Sequence, residues 1–155
     1  MEAIWTSAVA VVGTLLGSVI THVLQRRVSE RGESFARSEA LRRERMTTYS
    51  AFAEAMEDYR HGQADRWYSG REAPGTEAYV AARDEAHRRR TAARQALYRV
   101  RLLTDDPEVN AAAERAYAST WEISTARDQS GRDALDARSR RAIEEFVNRA
   151  APLVR

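Results

Sequence analysis

The sequence predicts an all-α protein: one N-terminal transmembrane helix continuing into a helical neck and an antiparallel helical bundle. Three observations carry that expectation. Residues 3–24 hold no formally charged side chain, although charged residues make up 31% of the chain. Beyond residue 45, apolar residues recur at helical spacing in four segments. Glycine and proline are few, seven and three, and alanine is abundant, a composition that favours helix. The boundaries that follow are a transmembrane anchor over 1–25, a charged helical neck over 26–45 and a helical bundle over 46–155.

The uncharged run reads AIWTSAVAVVGTLLGSVITHVL and ends at Gln25-Arg26-Arg27. As a helix it extends roughly 33 Å, enough to cross a hydrocarbon core. A secretory signal opens with basic residues and a shorter apolar core. Here the arginines follow the run instead of preceding it, which argues for an anchor. Thr6, Ser7, Thr14, Ser18 and Thr21 dilute its hydrophobicity, and a buried globular helix is the competing reading. The flanking residues Arg26, Arg27 and Arg31, against Met1 and Glu2 on the other side, orient the anchor by the positive-inside rule. The expected location is the inner (cytoplasmic) membrane, single-pass, with the N-terminus outside and the C-terminal domain cytoplasmic. Trp5 then lies at the outer interface. Ser7, Ala10, Thr14, Gly17 and Thr21 recur three or four residues apart, beside the small-xxx-small pair Gly13 and Gly17. That stripe is expected to be a membrane association face, since small residues let helices approach closely. His22 falls near the inner end of the run and is read as interfacial.

The neck carries seven arginines and four glutamates. Glu33 with Arg37, and Glu39 with Arg43, are i,i+4 pairs in the favourable order. Val28 and Phe35 are one heptad apart, a spacing that suits coiled-coil contact.

In the first bundle segment Met46, Tyr49, Phe52, Ala53, Met56, Tyr59 and Gln63 form one stripe, closed by Trp67. Ser69-Gly70 to Pro74-Gly75 reads as a loop. Thr76 then caps a second helix reaching about Leu103, with Tyr79, Ala82, Ala86, Ala93, Leu97, Val100 and Leu103 on one face. Thr104-Asp105-Asp106-Pro107-Glu108 is a stop and restart, with an acidic cap and proline at the first helical position. The third helix turns Val109, Ala112, Ala113, Ala116, Thr120 and Ile123 inward. Ser130-Gly131-Arg132-Asp133 resembles a break with a capping box. The last helix is expected to bury Leu135, Ala142, Ile143, Phe146, Val147 and Ala150. Faces this rich in alanine bury little area each, so Tyr49, Phe52, Tyr59, Trp67, Leu97, Trp121 and Phe146 are expected to carry much of the core, completed by a second copy of the chain.

Composition excludes several chemistries. There is no cysteine, and all 25 residues counted as Lys+Arg are arginine. Thiolate metal sites, cysteine nucleophiles, lysine Schiff bases and a Walker lysine are therefore out of reach. Asp58-Tyr59-Arg60-His61 and Asp84-Glu85-Ala86-His87 are two acid-x-x-His arrangements, which Glu114 and Glu144 complete on paper as a di-metal set. His61 points away from the apolar stripe, and Arg88, Arg89 and Arg90 next to His87 repel cations. No metal or other cofactor is expected. Arg83, Arg88, Arg89, Arg90, Arg94, Arg99 and Arg101 make the second helix basic, but they encircle it instead of lining one face. With a net charge of only +2, nucleic acid is not an expected partner. No serine sits in a G-x-S-x-G elbow, and there is no phosphate-cradling glycine loop, so no enzyme and no catalytic residue is expected.

The anchor ending at Gln25-Arg26-Arg27, the arginine-rich neck, the segment 43–52 (RERMTTYSAF) and the segment 100–109 (VRLLTDDPEV) resemble small single-span membrane proteins of GC-rich bacteria. The resemblance implies an anchored cytoplasmic helical domain and no particular activity. The expected function is a membrane-anchored, non-enzymatic helical adaptor or scaffold that self-associates and binds a protein partner. An oligomeric pore-forming or membrane-disrupting effector, its pore lined by the polar stripe of the span, is the alternative.

Overall fold

The computed structural model describes residue 32 and residues 34–155 in full and, for residues 2–31 and 33, the helical course of the backbone alone. The order of elements is α1 (Glu2–Glu72), α2 (Glu77–Leu103), α3 (Pro107–Glu122), a 3-10 turn (Ile123–Thr125), α4 (Gln129–Ala150) and a second 3-10 turn (Ala151–Val154). Described residues include no strand, and the all-helical expectation holds. The chain divides into two compact units, Met1–Leu41 and Arg42–Arg155. Among the described residues no helix is long and apolar enough to cross a membrane. The expected span, residues 3–24, lies outside the residues described in full, so that observation does not bear on it. In the first unit Phe35 is largely exposed, while Val28, its heptad partner, lies outside the described side chains.

Local chemistry fixes the helix ends of the second unit. The Thr76 hydroxyl accepts from the Tyr79 amide at 3.4 Å, and Gly75 before it takes φ +77°, the left-handed region that a side chain resists. The Asp106 carboxylate accepts from the amides of Glu108 and Val109, with Pro107 in the first turn, where its missing N–H costs nothing. Two expected breaks move. α1 continues through Ser69 and Gly70 to Glu72, and the Tyr79 ring packs against Gly70, 3.2 Å from where a Cβ would stand. α4 starts at Gln129, not after Ser130. Its cap is Asp128, whose carboxylate accepts from the Gly131 amide at 2.7 Å, so Gly131 lies inside the first turn.

The core of this unit is one cluster. Phe52, Met56 and Tyr59 of α1 meet Ala93, Leu97 and Val100 of α2, Val109, Ala112, Ala113 and Ala116 of α3, and Ile143, Phe146 and Ala150 of α4. α3 packs against both α2 and α4, and these two do not pack on each other. α1 reaches all three: Gly62 passes α2 so closely that a Cβ would stand 2.9 Å from Arg89 Cδ, Tyr59 lies 5.8 Å from Tyr117 of α3, and Phe52 lies 4.6 Å from Phe146 of α4.

Three expected core residues are not inside. Met46 is 50% exposed, Val147 46% and Trp121 39%. Met46 and Val147 sit at the margins of their stripes, on the rim of an open cleft between α1 and α4. Trp121 lies flat under a guanidinium instead of under a helix.

Candidate functional site

Polar groups collect in three places around the core, and helical spacing explains each. Asp136 and Ser139 lie on the same face of α4 as Ile143, Phe146 and Ala150, so both are carried inward. Asp136 meets Arg60 of α1 at 2.6 Å, with side-chain exposures of 11% and 14%. Glu57 takes a second bond from Arg60 Nε at 2.9 Å, and Arg140 approaches Asp136 at 3.7 Å. Burial alone would lower the Arg60 pKa, but its bonds to Asp136 and Glu57 outweigh that and raise it. Ser139 shares a buried 2.7 Å hydrogen bond with Thr120 of α3.

The second place joins α1, α2 and α3. The buried Gln63 amide donates to the Tyr59 hydroxyl at 3.4 Å and to the Trp121 carbonyl at 3.3 Å. Arg90 donates to the Tyr117 hydroxyl at 3.3 Å and stacks 4.4 Å from the Trp121 ring centre. Burial pushes the Tyr59 phenol up to about 12, against the pull of nearby Arg90. At neutral pH this group is therefore a neutral hydroxyl, not a base or nucleophile. Since the folded state holds this proton more tightly, Tyr59 contributes stability fully below its ordinary value of 10.0, and loses it as pH rises through about 12. We expect one phenolate to appear late in an absorbance titration of the folded chain, and Tyr59→Phe to remove it. A titration unchanged by that substitution would refute the assignment.

The third place is an aromatic–arginine stack at the bundle end. Trp67 donates from Nε1 to the Ala126 carbonyl at 2.8 Å, and its ring meets Tyr68 edge-on. Arg71 lies 5.0 Å from the Trp67 ring centre, and Arg132 4.6 Å from that of Tyr68, whose hydroxyl also accepts from Arg132.

Sequence-derived candidates fare differently. Ser7, Ala10, Gly13, Thr14, Gly17, Thr21, Trp5, Arg26, Arg27, Arg31 and His22 lie outside the described side chains. Asp58, His61, Asp84, His87, Glu114 and Glu144 are exposed, and the structure brings no set of them together. The described residues contain no group of three or more His, Asp or Glu side chains able to hold a metal ion. His61 instead lies 3.2 Å from an Arg60 nitrogen. Much of the basic charge of α2 is matched: Arg83 by Asp84, Arg88 and Arg89 by Glu85, and Arg101 by Glu114. Arg89 and Arg88 in turn hold Glu85 below the usual carboxylate range.

One feature has no counterpart in the sequence pattern. Between α1 and α4 runs a cleft of about 360 Å³, floored by Tyr49, Phe146 and Ala150 and edged by Met46, Val147 and Val154. Adjoining it, and sharing Ala53 and Val147, is a second hollow of about 460 Å³ whose walls include Glu54, Glu57 and Glu144. Its depth is set by the spacing of two helices distant in sequence, which no local pattern reveals.

The profile of the family described as KilB plasmid transfer protein matches residues 46–154, more than half of the chain. The chain belongs to that family. No curated protein and no solved structure matches it. The KilB match runs from Met46 to Val154, both of which line the cleft, so it takes in all three polar clusters and the cleft.

Proposed function

We propose that this KilB-family chain is a membrane-anchored, non-enzymatic helical scaffold for plasmid transfer, self-associating and presenting its bundle on the cytoplasmic face to a protein partner. The observation that carries this reading is the uncharged run 3–24 closed by Arg26-Arg27, ahead of a domain of the plasmid-transfer family. The polar clusters support it: Arg60, Asp136, Gln63, Thr120 and Ser139 are each engaged with one another or with neighbouring helices, as packing clamps are. Trp5 anchors the outer interface, Arg26, Arg27 and Arg31 the inner one, and Ser7, Ala10, Gly13, Thr14, Gly17 and Thr21 form the association face.

The test is fractionation of the full chain in bacterial cells with protease protection of its two ends. Retention in membranes through alkaline extraction, with the bundle shielded by intact inner membrane, is the expected result. Release of the full chain as a detergent-free soluble protein overturns it. Replacing Gly13 and Gly17 by leucine is expected to weaken self-association in a bilayer two-hybrid assay, because each leucine holds the backbones apart. An unchanged signal removes the association face. Leakage of a small dye from cells expressing the full chain, absent for a form without residues 1–25, would favour a pore instead of a scaffold.

A further inference from the structure

Two exposed faces of the bundle are both apolar and carry opposite charge. The first is the α1/α4 cleft. Its floor is apolar, and Glu54 on α1 and Glu144 on α4 line the adjoining hollow from opposite helices. Neither glutamate makes an ion pair among the described residues. The second is the outward ridge of α2. Leu102 is 88% exposed and Tyr98, one turn earlier, is half exposed. At 3.6 residues per turn, Arg94 continues the same i,i+4 row one turn before Tyr98, and Arg99 stands on its flank. They too make no ion pair among the described residues, in contrast to Arg83, Arg88, Arg89 and Arg101. An apolar ridge with two cations beside it is therefore exposed on α2, and the apolar groove between α1 and α4 adjoins a hollow with an acid on each wall. Since α2 and α4 do not pack together, one chain cannot close its own ridge into its own groove without unfolding.

We propose that the groove receives a second copy of this chain: the Tyr98–Leu102 ridge of one α2 lies in the α1/α4 cleft of the next copy, with Arg94 and Arg99 against Glu54 and Glu144. A helix laid in a groove by an i,i+4 apolar pair is an established mode of recognition. The contact joins unlike faces, so it is head-to-tail, and a joined pair keeps one groove on one copy and one ridge on the other, free to add further copies as a ring or a filament. This association belongs to the bundle and stands apart from the contact proposed for residues 7–21. The acid walls also decide against anionic lipid as the occupant, since like charges would be brought together.

The chain has no cysteine, which makes the test direct. Full-length chains carrying Leu102→Cys or Val147→Cys, each in the Gly13→Leu/Gly17→Leu background, are purified in detergent and treated with a short bifunctional thiol crosslinker. The mixture of the two is expected to give crosslinked dimer, and either variant alone about tenfold less, because a head-to-tail contact pairs position 102 with position 147. Adding Glu54→Arg and Glu144→Arg to the Val147→Cys chain is expected to cut the yield about tenfold, and Arg94→Glu with Arg99→Glu in the other chain to restore it. All four charged positions are exposed, so folding is not at stake. Equal crosslinking of each variant with itself, absence of crosslinking in the mixture, or failure of the reversed charges to rescue it overturns the proposal. Retained crosslinking together with a soluble full chain would overturn only the membrane reading.

Discussion

Phe146→Ala is expected to destabilise the bundle by about 4 kcal/mol, the upper range for emptying a buried aromatic site. Phe146 is fully buried, and its ring lies 4.6 Å from that of Phe52 and 5.9 Å from that of Tyr49, both edge-on. Such pairs add to the transfer term, and the rings of Phe52 and Tyr49 both lose that contact when Phe146 is removed. Much of the surrounding core is Ala112, Ala113, Ala116 and Ala150. Alanine has no rotamer with which to fill a void, so the cavity collapses little and the cost stays high. The next residue supplies the control. Val147 is half exposed, and Val147→Ala is expected to cost under about 1 kcal/mol, in the range of surface changes. Urea unfolding of the two full-length variants checks both. Similar losses for the two would mean that Phe146 is not the hub of the core. Because domains of this size hold only about 5–15 kcal/mol in reserve, the first change should leave a measurable unfolded fraction on mild heating.

The same residues show what the sequence could disclose. The stripe Tyr49, Phe52, Met56, Tyr59, Gln63 and Trp67 was legible because each residue repeats a period that burial enforces, and all six are buried. The α2–α3 corner was legible because Asp106 and Pro107 act through bonds no more than three residues away. Ser69-Gly70 and Ser130-Gly131 were misread for a common reason. Glycine breaks a helix only if nothing else holds it, and here Tyr79 packs on one pair and Asp128 caps the other. Met46 and Val147 have the right period but stand on the rim of the cleft between α1 and α4. The functional surface was less accessible still. Asp136 and Ser139 interrupt an otherwise apolar stripe, and that interruption was a signal of buried polar contacts. Their partners, Arg60 and Thr120, lie on other helices at separations that carry no pattern. Tyr98 and Leu102 read as ordinary exposed apolar residues until the opposite cleft is seen.

Arg60→Met is expected to cost about 3 kcal/mol, and the reason lies in what it leaves behind. Asp136 would remain largely buried, with Arg140 at 3.7 Å as its only other cationic neighbour among the described residues. A carboxylate stranded in this way costs more than the pair gained, since the pair had already offset the desolvation of both ions. Asp136→Leu is expected to cost less, because Arg60 keeps Glu57 and its longer side chain can carry the guanidinium towards water. The double variant Arg60→Met/Asp136→Leu removes both charges and fills the space with apolar atoms, and is expected to fall within about 1 kcal/mol of the parent. The cycle therefore closes with a coupling of about 2 kcal/mol or more, measured by chemical unfolding at neutral pH. Additive losses would show that the two groups act independently. The prediction separates stability from specificity: the double variant should keep the bundle's stability, while the head-to-tail crosslink reports whether α1 and α4 still hold the spacing that shapes the cleft. If the crosslink falls while stability stays, the ion pair serves to set the register of the two cleft walls, a role that an apolar pair of similar volume does not fill.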